Sequence, residues 1–161
     1  MSLSAPLSKY RKHNWIITIC VLLGAAVIFG YDGYLSKYEW SMRHSFYQKH
    51  VLDNGGVADG DMTFNQKGAP ILAAAGIAAA IYYLFFLRTK VIVADDQGLR
   101  YEKLAIPYDH IESIDKTHFD SKGFFIVHYS DSGQKKELKL SDRGYDNLPA
   151  VLDHLVSKIV D

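Results

Sequence analysis

The sequence predicts an α+β membrane protein, with a transmembrane helical hairpin followed by a small antiparallel β half-barrel capped by a C-terminal helix. Three observations predict it. Residues 14–31 and 68–87 each run without a charged side chain. From Thr89 onward, β-branched and aromatic runs alternate with Asp-, Gly- and Ser-containing turns. The last dozen residues place apolar side chains at helical spacing.

A hydrocarbon core about 30 Å thick needs about 20 helical residues, and both uncharged stretches approach that length. In lipid the backbone must satisfy its own polar groups, so each stretch reads as a helix. Trp15 and Tyr31 end the first stretch as interfacial aromatics, while Lys67 and Arg88 bracket the second. Neither stretch carries the polar stripe of a soluble core helix. A signal peptide built on Lys9–Lys12 is the competing reading of the first; the run is long for one, and no small-x-small cleavage site follows it.

Lys9, Arg11 and Lys12 precede the first stretch, and Arg88 and Lys90 follow the second. The positive-inside rule then places both termini in the cytoplasm, though this bias is modest. The expected organisation is a cytoplasmic tail (1–13), a first span (14–31), an extracytoplasmic segment (32–67), a second span (68–88) and a cytoplasmic domain (89–161). Ala26 and Gly30, Ala74 and Ala78, and Gly76 and Ala80 are four residues apart. Such spacing lets helices approach closely. It serves packing of the two spans on each other, or docking of Gly76 and Ala80 onto a partner.

Between the spans, Leu35, Tyr38, Met42, Phe46 and Tyr47 recur at steps of three and four, one face of a helix. Glu39 and Arg43 add an i,i+4 pair. This helix extends the first span, lies on the membrane surface, or offers Tyr38, Met42, Phe46 and Tyr47 to a partner. The following Gly- and Asp-rich stretch reads as a loop, with Pro70 in the first turn of the next helix. Asp53, Asp59 and Asp61 lack calcium-loop spacing, and His44 and His50 lack further zinc ligands at suitable spacing, so neither group is taken as a metal site.

In the last third, Val91–Val93 and the run from Leu99 flank an Asp-Asp-Gln-Gly hairpin turn. Phe124–Tyr129 is the strongest strand signal in the chain, and Lys136–Leu140 alternates as its partner across Asp131–Gly133. Asn147 is placed to cap a helix carrying Leu148, Val151, Leu152, Leu155 and Ile159 on one face. Strands closed by one helix build a small half-open barrel.

Asp96-Gln-Gly98 with Leu99-Arg-Tyr101, then Ile106-Pro107, Ile111–Asp115, Gly123–Val127 and the closing helix form a pattern. It resembles the bacterial pleckstrin-homology-like (bPH-type) domains of small two-span membrane proteins, over residues 88–160 or thereabouts. The resemblance implies a binding module in a bacterial inner (plasma) membrane, not an enzyme. Seventy-odd residues are few for seven strands, so one or two are expected to be missing or supplied by a partner. In eukaryotic relatives the fold binds phosphoinositides through basic residues. Here residues 89–161 hold ten basic against thirteen acidic side chains, and Lys135-Lys136 is the one adjacent basic pair. A polyanion site needs several convergent cations, so a solvated hairpin tip is favoured.

The chain carries 18 basic and 18 acidic side chains, a formal charge of zero, which argues against general nucleic-acid binding. A single cysteine, Cys20, excludes an internal disulfide and a Cys-based zinc cluster. His110, His118, His128 and His154 match no catalytic motif, and no cofactor is called for. The expected role is a non-enzymatic scaffold that binds the bilayer and other membrane or cytoplasmic proteins, and possible homo-oligomers are left open. A structural subunit of a larger membrane complex and a lipid-sensing protein are the alternatives. Candidate contacts are Tyr38, Met42, Phe46 and Tyr47; Gly76 and Ala80; an open sheet edge at Val91 and Val93; and Lys135 and Lys136.

Overall fold

The computed structural model describes residues 2–159. The chain is α+β, with two long apolar helices, antiparallel sheets and a C-terminal helix. It divides into two compact units, one comprising Trp15–Tyr83, the other joining the N-terminal residues up to Asn14 to those from Leu84 onward.

Helix α1 (Lys9–Gly30) starts at Ser8, whose hydroxyl accepts the Arg11 N–H at 3.1 Å. A side-chain oxygen there satisfies an amide that has no intrahelical partner. The helix runs on through a π-helical turn, Tyr31–Leu35. Together they make 27 helical residues, long and apolar enough to cross a membrane. A second such stretch spans 28 residues, combining α3 (Gly60–Tyr82) with a π-helical turn at Tyr83–Leu87. Only 11% of each apolar window is buried.

The two helices pair antiparallel. Trp15 packs on Tyr82 and Phe29 on Phe64, with ring centroids 5.4 and 5.5 Å apart. Close approach depends on glycine: a Cβ on Gly76 would meet the Leu23 side chain at 2.6 Å, and one on Gly33 would meet the Gln66 backbone nitrogen at 2.9 Å.

Two expectations about the connecting segment are corrected. Residues 60–67 are helical, because the Asp59 carboxylate accepts the Met62 N–H at 3.0 Å and starts α3 at Gly60, eight residues before Gly68. Pro70 therefore lies inside the helix. Residues 34–50 are not one amphipathic helix either. The chain breaks into turns after Leu35, then forms the four-residue α2 (His44–Tyr47) and a π-helical turn at Gln48–Leu52. The break is held by Asp32, which draws Arg43 back across eleven residues instead of leaving it to Glu39.

The second unit contains two antiparallel sheets. One has the order β1 (Leu3–Pro6), β2 (Val91–Asp95), β3 (Gly98–Tyr101), β4 (Leu104–Ile106). The other has the order β5 (Ile111–Asp115), β6 (Phe124–Asp131), β7 (Gln134–Ser141). A short helix, α4 (Phe119–Lys122), joins β5 to β6. The Asp-Asp-Gln-Gly turn closes β2 on β3 with Asp95 opposite Gly98. Gly98 has φ 137, and a Cβ there would collide with the Ile106 carbonyl, so only glycine fits. Ser132 and Gly133, both at positive φ, turn β6 into β7.

Strand β1 is the principal departure from expectation. The N-terminal residues are no free tail: they supply a strand from the far end of the chain, completing seven among the described residues. Ala5 and Leu7 are fully buried. Ser8 donates its hydroxyl to the Arg143 carbonyl at 2.6 Å, and the Asp146 N–H reaches the Pro6 carbonyl at 2.9 Å.

Helix α5 (Leu148–Ile159) buries Leu148, Val151, Leu152 and Leu155 in a common core with Ile92, Leu99, Phe125, Val127 and Leu140. Asn147 does not cap it in the expected way. Its backbone is left-handed, at φ 62, and its side-chain amide donates to the Ser4 carbonyl at 3.1 Å. It thus ties the helix start to β1.

Candidate functional site

The strand edge proposed at Val91 and Val93 is closed. Ser4 stands opposite Val93 and Pro6 opposite Val91, so β1 takes the backbone groups a partner strand would have used. Proline is tolerated there because β1 is itself an edge strand. The eight-residue β7 instead ends the second sheet.

Gly76 is committed within the helix pair, buried against Leu22 and Leu23. Ala80 is half-buried, whereas Ala74 and Ala78 are exposed.

Lys135 and Lys136 border a surface cavity of about 310 Å3 lined also by Glu112, Ser113, His128, Tyr129 and Glu137. Every basic side chain in it has a nearby acid. Lys135 pairs with Glu112 at 3.1 Å, Lys136 with Asp131 at 2.6 Å, and His128 lies 3.3 Å from Glu137. The Lys136 ammonium holds the Asp131 carboxyl below the usual carboxylate range, and Asp131 in turn raises Lys136. Lys139 lies 3.6 Å over the Phe124 ring. Each of these lysines is already engaged by an acid or a ring, whereas a polyanionic headgroup needs several convergent cations.

The structure brings together a set that sequence spacing left apart: His50, Asp59 and Asp61. The His50 Nδ1 is 2.7 Å from Asp59 Oδ2 and 3.7 Å from Asp61 Oδ2. The three ligand atoms lie within 4.8 Å of one another, and one imidazole with two carboxylates suits a borderline divalent cation. The His50–Asp59 contact also has a structural role. Asp59 caps α3, its N–H donates to the His50 carbonyl at 3.0 Å, and His50 is buried against the Phe46 ring at 4.2 Å. The Met62 N–H first, then His50, lowers the Asp59 carboxyl pKa.

The expected aromatic stripe is split. Tyr38 and Met42 are exposed, while Phe46 and Tyr47 are half-buried on α2. Trp40, absent from that stripe, is exposed and stacks on Tyr38 with centroids 5.5 Å apart and planes 12° from parallel. Beneath this turn, the Arg43 guanidinium grips Asp32 through two nitrogens, each at 2.9 Å. That bidentate contact raises the Arg43 pKa, through hydrogen bonding to Asp32 first and its charge second. A cavity of about 520 Å3 is lined by Val27, Ile28, Tyr31, Asp32, Met42 and Arg43. Nothing in the spacing of these residues announced the turn; the i,i+11 pairing of Asp32 with Arg43 belongs to no regular element.

No protein-family model matches the chain, and no curated protein or solved structure matches it.

Proposed function

We propose that this chain is a two-span protein of a bacterial inner membrane, with both termini in the cytoplasm. Its seven-stranded unit acts as a pleckstrin-homology-like platform for docking other proteins, without catalysis. Seven strands and a closing helix are the count that the resemblance implies, and β1 provides the strand that residues 88–160 lack. One observation carries the reading. The helix pair is inserted between β1 and β2, neighbours in one sheet, with two residues leading into α1 and three leading out to Val91. The domain is built from chain at both ends of the hairpin, so the helix pair is tied to it at two points.

Strand β7 is the edge on which this reading places partner docking, because a terminal strand offers an unpaired row of backbone groups. Photo-crosslinking in cells tests it. A probe replacing Lys136 on β7 is expected to give discrete adducts, and one replacing Asp153 on α5 none. Absence of adducts from position 136 overturns the docking role. A second reading, a structural subunit of a larger membrane complex, draws on Ala74 and Ala78, which face away from the hairpin. A stable stoichiometric assembly after mild detergent extraction favours it.

A further inference from the structure

In water a chain turns apolar groups inward and polar groups outward. The turn after α1 departs from this at five positions, although its charged residues Lys37, Glu39 and Arg43 stay exposed. Ser36 is 0% exposed, Ser41 6% and Asp32 8%, whereas Trp40 is 69% exposed and Met42 91%. With His50, these make four of the five buried polar residues among the described residues.

Each buried polar group is satisfied from within. The Ser36 hydroxyl donates to the Asp32 carbonyl, and the Ser41 hydroxyl donates to the Tyr31 hydroxyl at 3.2 Å. Asp32 has Arg43, and the Ser36 carbonyl lies 3.1 Å from His44 Nδ1. Satisfied polar groups inside, with Trp40 and Met42 outside beside the exposed charges of Lys37, Glu39 and Arg43, suit the boundary between hydrocarbon and headgroups.

The turn also reaches back along α1. Met42 and Arg43 share their cavity with Val27 and Ile28, which lie within the uncharged run of residues 14–31. Val27 and Ile28 are themselves exposed, so Met42 continues the outward apolar surface of the helix. Trp40 stacks on Tyr38, and the Lys37 ammonium sits 5.0 Å from the Tyr38 ring. Aromatic rings beside a cation suit the headgroup boundary.

We propose that residues 36–43 form an interfacial loop, clamped by Asp32 and Arg43, that seats Trp40 and Met42 at the boundary between phospholipid headgroups and acyl chains at that end of the helix pair. The proposal rests on the membrane reading above. Lipid is the occupant because the exposed patch is continuous with the flank of an apolar helix.

Trp15 and Trp40 are the two tryptophans of the chain, so each can be made the sole fluorophore. The full chain carrying Trp15→Phe, which keeps a ring against Tyr82, is reconstituted in phosphatidylcholine–phosphatidylglycerol vesicles with and without phospholipid brominated along its acyl chains. Trp40 emission is expected to be blue-shifted, to lose most of its intensity to brominated lipid, and to resist acrylamide. The Trp40→Phe chain reports Trp15 in the same vesicles. If Trp15 is quenched by lipid while Trp40 is red-shifted and open to acrylamide, the loop proposal falls and the membrane reading stands. If neither tryptophan is quenched by lipid, both fall. If Trp40 is shielded from lipid and acrylamide alike, protein covers it, and the loop proposal is overturned.

Discussion

The Tyr34 hydroxyl donates to the Gln66 carbonyl at 2.6 Å, and that carbonyl is the one Pro70 leaves without its helical partner. Proline has no N–H, so residue i−4 loses its acceptor bond. Gln66 returns the contact, its side-chain amide donating to the Gly33 carbonyl at 3.1 Å. A proline inside a long apolar helix is thus repaired by the neighbouring helix. Removing the hydroxyl with Tyr34→Phe is expected to cost about 1 kcal/mol of stability. In a Pro70→Ala background, where the restored backbone N–H donates to the Gln66 carbonyl, the same change is expected to cost much less. A double-mutant cycle on denaturant unfolding of the detergent-solubilised protein measures the difference.

Gly33 is packed where no side chain fits. The atoms a Cβ would meet, the Gln66 nitrogen at 2.9 Å and the Asn65 carbonyl carbon at 3.1 Å, are backbone and cannot rotate away. Gly33→Ala is expected to destabilise the helix pair by roughly 1–3 kcal/mol. Gly24→Ala, with nothing within 4 Å of the new methyl, is the control and is expected to be neutral or slightly stabilising. Thermal unfolding of both variants checks the contrast.

Strand β1 is expected to be indispensable to the second unit. Leu7, the residue after β1, bridges to Tyr145 and is fully buried, and truncation of a buried leucine to alanine costs roughly 2–5 kcal/mol. A fragment of residues 88–159 is expected to lack cooperative unfolding, and fusing residues 2–8 ahead of it is expected to restore it. Near-ultraviolet circular dichroism on both fragments decides this.

Asp59 gives the first unit an acid limb. Its folded-state pKa is lowered, so its charged form stabilises above the unfolded carboxylate value, about pH 4, and that contribution is lost as pH falls through the folded value. Asn at position 59 keeps a capping oxygen without the charge. Asp59→Asn is therefore expected to flatten the fall in stability below about pH 4, which unfolding midpoints measured from pH 6 to 3 report.

The features readable in advance were those carried by local pattern. Uncharged runs marked both long helices, and FFIVHY with its Asp-Ser-Gly turn marked the β6–β7 hairpin. What stayed hidden depends on distant pairing. Leu3–Pro6 is a four-residue strand containing proline, with no signal until β2 lies beside it. Asp59 read as one more loop residue because Gly and Asp surround it, although Asp before a helix is also a capping signal. Periodicity at Tyr38, Met42 and Phe46 suggested a helix, yet Asp32 and Arg43 reverse the chain there through a contact no periodicity encodes.

The central claim is that two helices cross a bilayer and leave the β unit on the side opposite the connecting segment. Single cysteines in a Cys20→Ser background, at the exposed positions Ser45 and Ser157, test it by labelling with a membrane-impermeant maleimide in spheroplasts. The account expects Ser45→Cys to label at once and Ser157→Cys to label only after permeabilisation. Equal labelling of both before permeabilisation, or labelling of Ser157→Cys alone, contradicts it.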